Sequence, residues 1–80
     1  MKEDMKERAF QVVSRVLKVE KNRINEATTQ NSIETWDSLN HLLLITQIER
    51  EFHIQIPIEK AMSLFSMKQI LECIEEEKGV

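Results

Sequence analysis

Apolar residues near the start of the chain recur at steps of three and four positions, the spacing of one face of an α-helix. Asp4 precedes most of this stretch and Glu7 follows three residues later, a pair that is typical of a helix start. The pattern predicts a first helix that follows Asp4 and ends near Lys18. Its predicted buried face comprises Met5, Ala9, Val12, Val13, Val16 and Leu17.

A second periodic stretch lies in the middle of the chain and begins directly after an aspartate. Asp37 is a favourable N-cap residue, because its carboxylate can accept a hydrogen bond from a free backbone N–H group. The spacing predicts a central helix from Ser38 to about Phe52. Its predicted apolar face comprises Leu39, Leu42, Ile45, Ile48 and Phe52, with Leu44 beside it.

The two helices are joined by residues 19–37, a largely polar stretch without clear periodicity. This connection is longer than most loops in small domains, and loops of such length often serve a function. Three isolated apolar residues, Ile24, Ile33 and Trp36, are expected to fasten the loop across the helices.

Beyond the central helix, the pattern breaks at Pro57, a residue that fits the first turn of a helix. A short helix is predicted at this point. Ala61 and Leu64 are the residues that it is expected to direct into the core.

Ser66 and Gln69 have the spacing of a capping box and predict the start of the last helix, which Gly79 ends. Its predicted core residues are Met67, Ile70, Leu71 and Ile74. Together these elements predict an all-α fold: a four-helix bundle with three main helices, one short helix and a long first loop.

Composition agrees with a helical chain. There are one glycine, one proline and no tyrosine, whereas turn-rich β-architectures need more glycine and more aromatic or β-branched residues. The length of 80 residues leaves room for a single core. We therefore expect one domain over residues 1–80.

Charge and cysteine usage narrow the classes of function. The formal net charge is −3, and no segment has a marked surplus of Lys and Arg, so nucleic acid is not an expected partner. The single cysteine, Cys73, excludes an intrachain disulfide, and the first ten residues are too charged for a signal peptide. We therefore expect a cytoplasmic protein, monomeric by default. The longest strictly apolar run is residues 42–45, whereas a membrane span needs about 20 residues, so no span is expected.

Ser38 has a position that suits an attached phosphate. Directly after an N-cap, its side chain belongs to the first turn of a helix, where backbone N–H groups lack partners and the helix dipole is positive. Such a turn can stabilise a phosphodiester on the serine oxygen without a dedicated group of basic side chains. A modification of this kind requires the hydroxyl to be open to solvent.

The sequence around Ser38 resembles the acyl carrier protein family. The match is Asp37-Ser38-Leu39, and it continues without gaps through "DSLNHLLLITQIEREFHIQIP". In the family, a D-S-L motif opens the second helix, an apolar helix face and a Glu-rich helix end follow, and a short strand-like stretch closes on Ile-Pro. D-S-L alone is a weak motif, but "EREF", "IQIP", the long first loop and the chain length agree with it.

The resemblance implies a carrier that is not itself an enzyme. Ser38 would bear a 4'-phosphopantetheine arm derived from coenzyme A, whose thiol holds an acyl group as a thioester. Asp37 would assist the phosphopantetheinyl transferase, and acyl-loading and acyl-transferring enzymes would be the other partners. The implied partner-recognition residues are Leu39, Asn40, His41 and Leu43. The implied lining of an acyl cleft between the second and third helices is Leu44, Ile56, Ala61 and Leu64.

Two positions depart from the pattern of carriers in general fatty-acid synthesis. Residues that match Asn40 and Leu43 are usually acidic there and contact basic patches on enzymes. The stretch "WDSLNH" looks more like the stand-alone carriers of specialised lipid or secondary-metabolite pathways, and His41 and Leu43 are expected to change partner choice through a more apolar contact surface.

Other interpretations remain open beside the acyl carrier. The arm can hold an amino acid or peptide instead, or the chain can be an unmodified helical interaction module. A hydrolase built on Asp37, Ser38 and His41 is disfavoured, because the chain has almost no glycine for a strained nucleophile turn. The simplest view of His41 is a solvated helix residue. His53 and Cys73 are too few and too scattered to predict a metal site.

Overall fold

The computed structural model describes residues 2–79, and these form an all-α fold with four α-helices. The helices are α1 (Glu3–Leu17), α2 (Ser38–Phe52), α3 (Ile58–Ala61) and α4 (Met67–Lys78), and two short 3₁₀ turns, Lys21–Arg23 and Gln30–Ser32, lie in the first loop. Within the described residues there is no β-strand, only an isolated antiparallel bridge between Thr29 and Ser66. Three main helices, one short helix and a long first loop are therefore confirmed.

The start of α1 differs from the prediction. The helix begins at Glu3, and Lys2 is the cap, whose side chain makes no capping hydrogen bond. Asp4 lies inside the first turn, where its charge favours the positive end of the helix dipole. Acidic residues are frequent both at the N-cap and in the first turn of a helix, so the sequence alone did not show which of these two positions Asp4 occupies. The predicted core face is buried except for Val16, which is only partly buried.

The bounds of α2 agree with the prediction, but its buried face does not. Leu39 and Leu42 were expected in the core and are exposed to 69% and 48%. The residues of α2 that are buried are His41, Leu44, Ile45, Ile48 and Phe52. The helix is thus rotated relative to the expected face, and a polar residue takes the place of a leucine in the first turns.

The first loop is fastened to the start of α4 by backbone hydrogen bonds. The N–H of Met67 donates to the carbonyl of Thr28 at 2.9 Å, and the N–H of Gln30 donates to the carbonyl of Phe65 at 2.7 Å. The three apolar residues expected to hold the loop, Ile24, Ile33 and Trp36, are buried, which confirms that prediction. These contacts bring Gln30 and Phe65 toward the beginning of α2.

The later elements follow the sequence signals closely. Pro57 precedes α3, and Ala61 and Leu64 are buried as expected, although Leu64 lies beyond the end of the helix. Met67, Ile70, Leu71 and Ile74 of α4 are all buried. Gly79 caps α4 at a φ of 75°, a left-handed conformation that glycine adopts without steric cost.

The capping box at α4 is only half formed. Ser66 Oγ accepts a hydrogen bond from the N–H of Gln69 at 3.2 Å, as a cap should. The Gln69 side-chain oxygen instead accepts from the N–H of Phe65 at 2.8 Å, one residue before the cap. This bond holds Phe65 in place at the end of the α3–α4 connection.

None of the helices in residues 2–79 combines the length and apolar character that crossing a membrane would require.

Candidate functional site

Ser38 is the first residue of α2, and its side chain is exposed. Within residues 2–79, no side chain or backbone group holds its hydroxyl in a hydrogen bond. The expectation that this hydroxyl is open to solvent is therefore confirmed. An exposed and unengaged hydroxyl can be reached by another macromolecule, which is a requirement for enzymatic modification.

Asp37 fixes the helix end on which Ser38 lies. Its Oδ1 accepts the backbone N–H of Asn40 at 2.8 Å, and its carbonyl accepts the N–H of His41 at 2.8 Å. The predicted N-cap is thus confirmed. The N–H groups of Ser38 and Leu39, the first two of the helix, have no intrahelical partner.

A small apolar pocket adjoins Ser38. It has a volume of about 140 Å³, and its lining comprises Gln30, Ser38, His41, Leu42, Met62 and Phe65. The pocket therefore combines α2 with the first loop and with the connection between α3 and α4. Three larger surface grooves are lined by other described residues, and Ser38 borders none of them.

His41 is buried to 5% exposure, so its interpretation as a solvated helix residue is wrong, whereas its role in partner recognition stays a prediction. Its Nδ1 accepts a hydrogen bond from the indole Nε1–H of Trp36 at 3.0 Å. An indole nitrogen only donates, so Nδ1 carries no proton, and the neutral ring has its proton on Nε2. Nε2 then donates to the carbonyl of Ala61 at 2.8 Å. His41 consequently joins the first loop, α2 and α3.

The same geometry removes His41 as a base for Ser38. Both ring nitrogens are engaged by groups other than the serine, and a general base must have a free nitrogen within hydrogen-bond reach of the nucleophile. Asp37 is committed to capping. The three residues therefore do not form a nucleophile–base arrangement.

The other residues predicted to recognise partner enzymes differ in their exposure. Leu39 and Leu43 are exposed to 69% and 48%, whereas Asn40 is half-buried. The Asn40 side-chain amide donates to the carbonyl of Thr35 at 2.8 Å, which ties the end of the loop to α2. Leu39 and Leu43 lie four positions apart and share one side of the helix.

The residues predicted to line an acyl cleft, Leu44, Ile56, Ala61 and Leu64, are all buried among the core residues. None of them lines the pocket beside Ser38. Ile56 also borders a separate groove of about 710 Å³, which is lined mainly by polar and charged side chains such as Glu49, Arg50 and Glu77. The acyl cleft remains a prediction.

Sequence reasoning missed Gln30, Met62 and Phe65. Ile58, Met62 and Phe65 are spaced by four and three positions and are exposed to between 54% and 68%, alongside the buried pair Ala61 and Leu64. A second apolar stripe beside the core stripe was thus visible in the sequence. No pattern in the sequence near Gln30 indicated that this residue lines the pocket, because its position depends on the hydrogen bond between the loop and Phe65.

The first three turns of α2 carry no formally charged side chain. Residues 38–48 contain no Asp, Glu, Lys or Arg. Six large apolar side chains are exposed on the described part of the chain: Leu39, Leu42, Leu43, Ile58, Met62 and Phe65. Leu42, Met62 and Phe65 come together at the pocket beside Ser38, and adjoining exposed apolar groups mark interaction sites more often than single exposed residues do.

No family model matches the chain. Among residues 2–79, no group of three or more His, Cys, Asp or Glu side chains is placed to hold a metal ion.

Proposed function

We propose that the protein is an acyl carrier, modified on Ser38 by 4'-phosphopantetheine and serving a specialised lipid or secondary-metabolite pathway. The observation that carries this proposal is the exposed and unengaged hydroxyl of Ser38 on the first turn of α2. Its sequence context, Asp37-Ser38-Leu39 followed by "EREF" and "IQIP", resembles the acyl carrier protein family. The order of helices, with a long first loop and a short third helix, supports the same proposal.

The local structure suits a phosphodiester on Ser38. The first N–H groups of α2 lack intrahelical partners and lie at the positive end of the helix dipole, which favours an anion. The carboxylate of Asp37 has the same charge as the phosphate, but exposure to water screens this repulsion, and its cap to Asn40 holds the carboxylate in place. The end of α2 can therefore accept the group without rearrangement.

In the attachment step, the Ser38 oxygen bonds to the phosphorus of coenzyme A that bears the pantetheine. The bridging P–O bond breaks, adenosine 3',5'-bisphosphate leaves, and the serine proton passes to a base of the transferase or to solvent. The attached arm supplies a terminal thiol that holds an acyl group as a thioester. Asp37 orients the serine through the cap that fixes the first turn.

The apolar surface around Ser38 supports a specialised pathway. Carriers of general fatty-acid synthesis present acidic residues to basic patches, whereas residues 38–48 of this chain carry no formal charge. Leu39 and Leu43 lie on this surface. Partner enzymes are therefore expected to offer an apolar docking face, and their affinity should depend only weakly on salt.

The proposal is tested by mass spectrometry after incubation with coenzyme A and a broad-specificity phosphopantetheinyl transferase. The wild-type chain should gain one phosphopantetheine, and Ser38→Ala should gain none. Ser63→Ala is the matched control, because Ser63 is also exposed but its hydroxyl donates to the carbonyl of Lys60 at 2.8 Å. If the wild type stays unmodified with several transferases, the carrier function is wrong.

The exposed apolar surface favours one alternative, an unmodified interaction module that binds a partner through α2. In such a module, the Ser38→Ala variant would bind the partner as well as the wild type does. The wild-type chain would not accept the phosphopantetheine arm. A carrier for amino acids or peptides is separated from an acyl carrier by its cargo. The intact mass of the protein isolated from its native cell identifies that cargo directly.

A further inference from the structure

The pocket beside Ser38 has no role in the attachment step, yet it touches the attachment point itself. Ser38 is one of its lining residues, and the others include three exposed or half-exposed apolar side chains, Leu42, Met62 and Phe65. A group tethered to Ser38 therefore samples this pocket at high effective concentration, so even weak contacts can hold it there.

We infer that this pocket binds the branched, apolar first part of the phosphopantetheine arm, the carbon that bears two geminal methyl groups. The inference rests on the proposed carrier function and adds a binding site for the arm on the carrier's own surface. The branched carbon is only a few covalent bonds from the serine oxygen. It is also the most apolar unit of the arm close to the attachment point, since two amide groups follow it.

Size and chemistry agree with this occupant. The pocket volume of about 140 Å³ compares with roughly 150 Å³ for an apolar protein cavity that binds benzene, and a dimethyl-substituted carbon with its neighbours is of similar size. Leu42, Met62 and Phe65 supply apolar walls, and the flexible thioether of Met62 can adapt to a branched group.

Rigid contacts hold the walls of the pocket in position. The His41 ring is fixed by Trp36 on one side and by the Ala61 carbonyl, next to Met62, on the other. The backbone of Phe65 is held by its carbonyl bond from Gln30 and by the bond of its N–H to the Gln69 side chain. A site whose walls are already ordered costs less entropy to fill.

The surroundings also suit the polar remainder of the arm. Gln30 and Phe65 border a second, larger groove of about 910 Å³, whose other lining residues are Thr29, Asn31, Ser66, Lys68, Gln69 and Glu72. The two features therefore adjoin at Gln30 and Phe65. Amide and hydroxyl side chains of that groove can exchange hydrogen bonds with the two amides of the arm.

The test is NMR spectroscopy of the holo-protein, with an isotope-labelled chain and an unlabelled arm. Docking should give nuclear Overhauser effects from the geminal methyls to Leu42, Met62 and Phe65. It should also shift the methyl resonances from their positions in free pantetheine, because the Phe65 ring lies in the pocket wall. Leu42→Ala should reduce this shift by about threefold, since part of the apolar contact is lost.

Leu43→Ala is the matched control. Leu43 has the same side chain and the same 48% exposure as Leu42, but it does not line the pocket. Its holo form should keep the wild-type methyl shifts. Mass spectrometry confirms the arm on each variant before the spectra are compared.

The outcomes separate this inference from the carrier function. If no arm is attached, both are wrong. If the arm is attached but its methyls show free-pantetheine shifts and no effects to the three side chains, the pocket inference alone is overturned. Equal shifts in wild type and Leu42→Ala also overturn it.

Discussion

The buried hydrogen bonds of His41 give the sharpest test of the fold around the site. In His41→Phe, a planar ring of comparable width stays in place, but both polar atoms of the imidazole are lost. Trp36 and Ala61 are exposed to only 2% and 3%, so water cannot easily replace these partners. Each buried group left unpaired costs about 1 to 3 kcal/mol, and the apolar ring offsets part of this loss. We expect His41→Phe to lower the free energy of unfolding by about 2 to 4 kcal/mol.

A double-mutant cycle assigns the loss to the hydrogen bonds. Trp36→Phe removes the indole N–H and leaves Nδ1 of His41 without its donor. In the double variant neither group is left unpaired across this bond, so the combined loss should be smaller than the sum of the single losses by about 1 to 2 kcal/mol. Urea unfolding followed by far-UV circular dichroism measures all four proteins without relying on tryptophan fluorescence.

Two results would refute this reasoning. A loss of less than about 0.5 kcal/mol in His41→Phe would place it among ordinary surface substitutions. Strict additivity with Trp36→Phe would mean that the two rings do not depend on each other. Leu43→Ala, at a half-exposed position of the same helix, serves as the control and should remain close to wild type.

Three further predictions follow from burial and charge. Ile45→Ala should lower the free energy of unfolding by about 2 to 5 kcal/mol because Ile45 is buried, whereas Leu42→Ala should lower it far less. Comparable losses of the two variants in urea unfolding would mean that the buried face of α2 is misassigned. Burial raises the pKa of the Cys73 thiol, so this thiol should react slowly with Ellman's reagent until urea unfolds the chain. In the holo-protein, the thiol of the arm should react before Cys73. Fast reaction of Cys73 in the native apo-protein would contradict its burial. A hydrogen bond from Lys6 at 2.7 Å, with its charge, lowers the pKa of Glu26. The stability from this pair is present above the ordinary pKa of a glutamate and is lost as the pH falls through the lowered value, so Glu26→Gln should slightly reduce the loss of stability on acidification. High salt should remove that difference, because the bond between the two side chains is exposed to solvent.

Helix bounds were predictable because local signals set them. Asp37 caps α2 through its own side chain, and Gly79 ends α4 in a left-handed conformation. Each of these helix ends is therefore set by a single residue and its neighbours in the chain. The start of α1 was mistaken for the opposite reason. Its cap, Lys2, makes no side-chain hydrogen bond, and no residue type therefore marks the position.

The buried face of α2 was not predictable from periodicity. Hydrophobic spacing assigned Leu39 and Leu42 to the core, because it ranks leucine above histidine for burial. The histidine at position 41 is buried because Trp36 and Ala61 satisfy both of its nitrogens, and one of these partners lies twenty residues away in the chain. Contacts of this kind exist only after the loop and α3 have packed.

The pocket beside Ser38 was missed for a related reason. Ser38 and Leu42 are adjacent on α2, but Gln30 and Phe65 reach them only through the loop-to-α4 hydrogen bonds. The serine and its exposure were predictable from the motif and the helix start. Its surroundings depend on the tertiary arrangement of three chain segments.

Near the start of α2, the side chain that holds the helix to the core is different from the side chains that form its exposed surface. Near its N-terminus, α2 is held to the protein by hydrogen bonds of a buried histidine, while Leu39, Leu42 and Leu43 are directed away from the core. Substituting these leucines therefore removes little buried area and should leave the fold intact, yet it changes the exposed surface of the helix that begins at Ser38. Under the proposed function, stability and partner recognition would thus depend on different side chains of the same helix turns. Substitutions of these leucines can therefore change which partner binds without a matching loss of stability. If the same leucines anchored the helix in the core, each such substitution would also destabilise the fold.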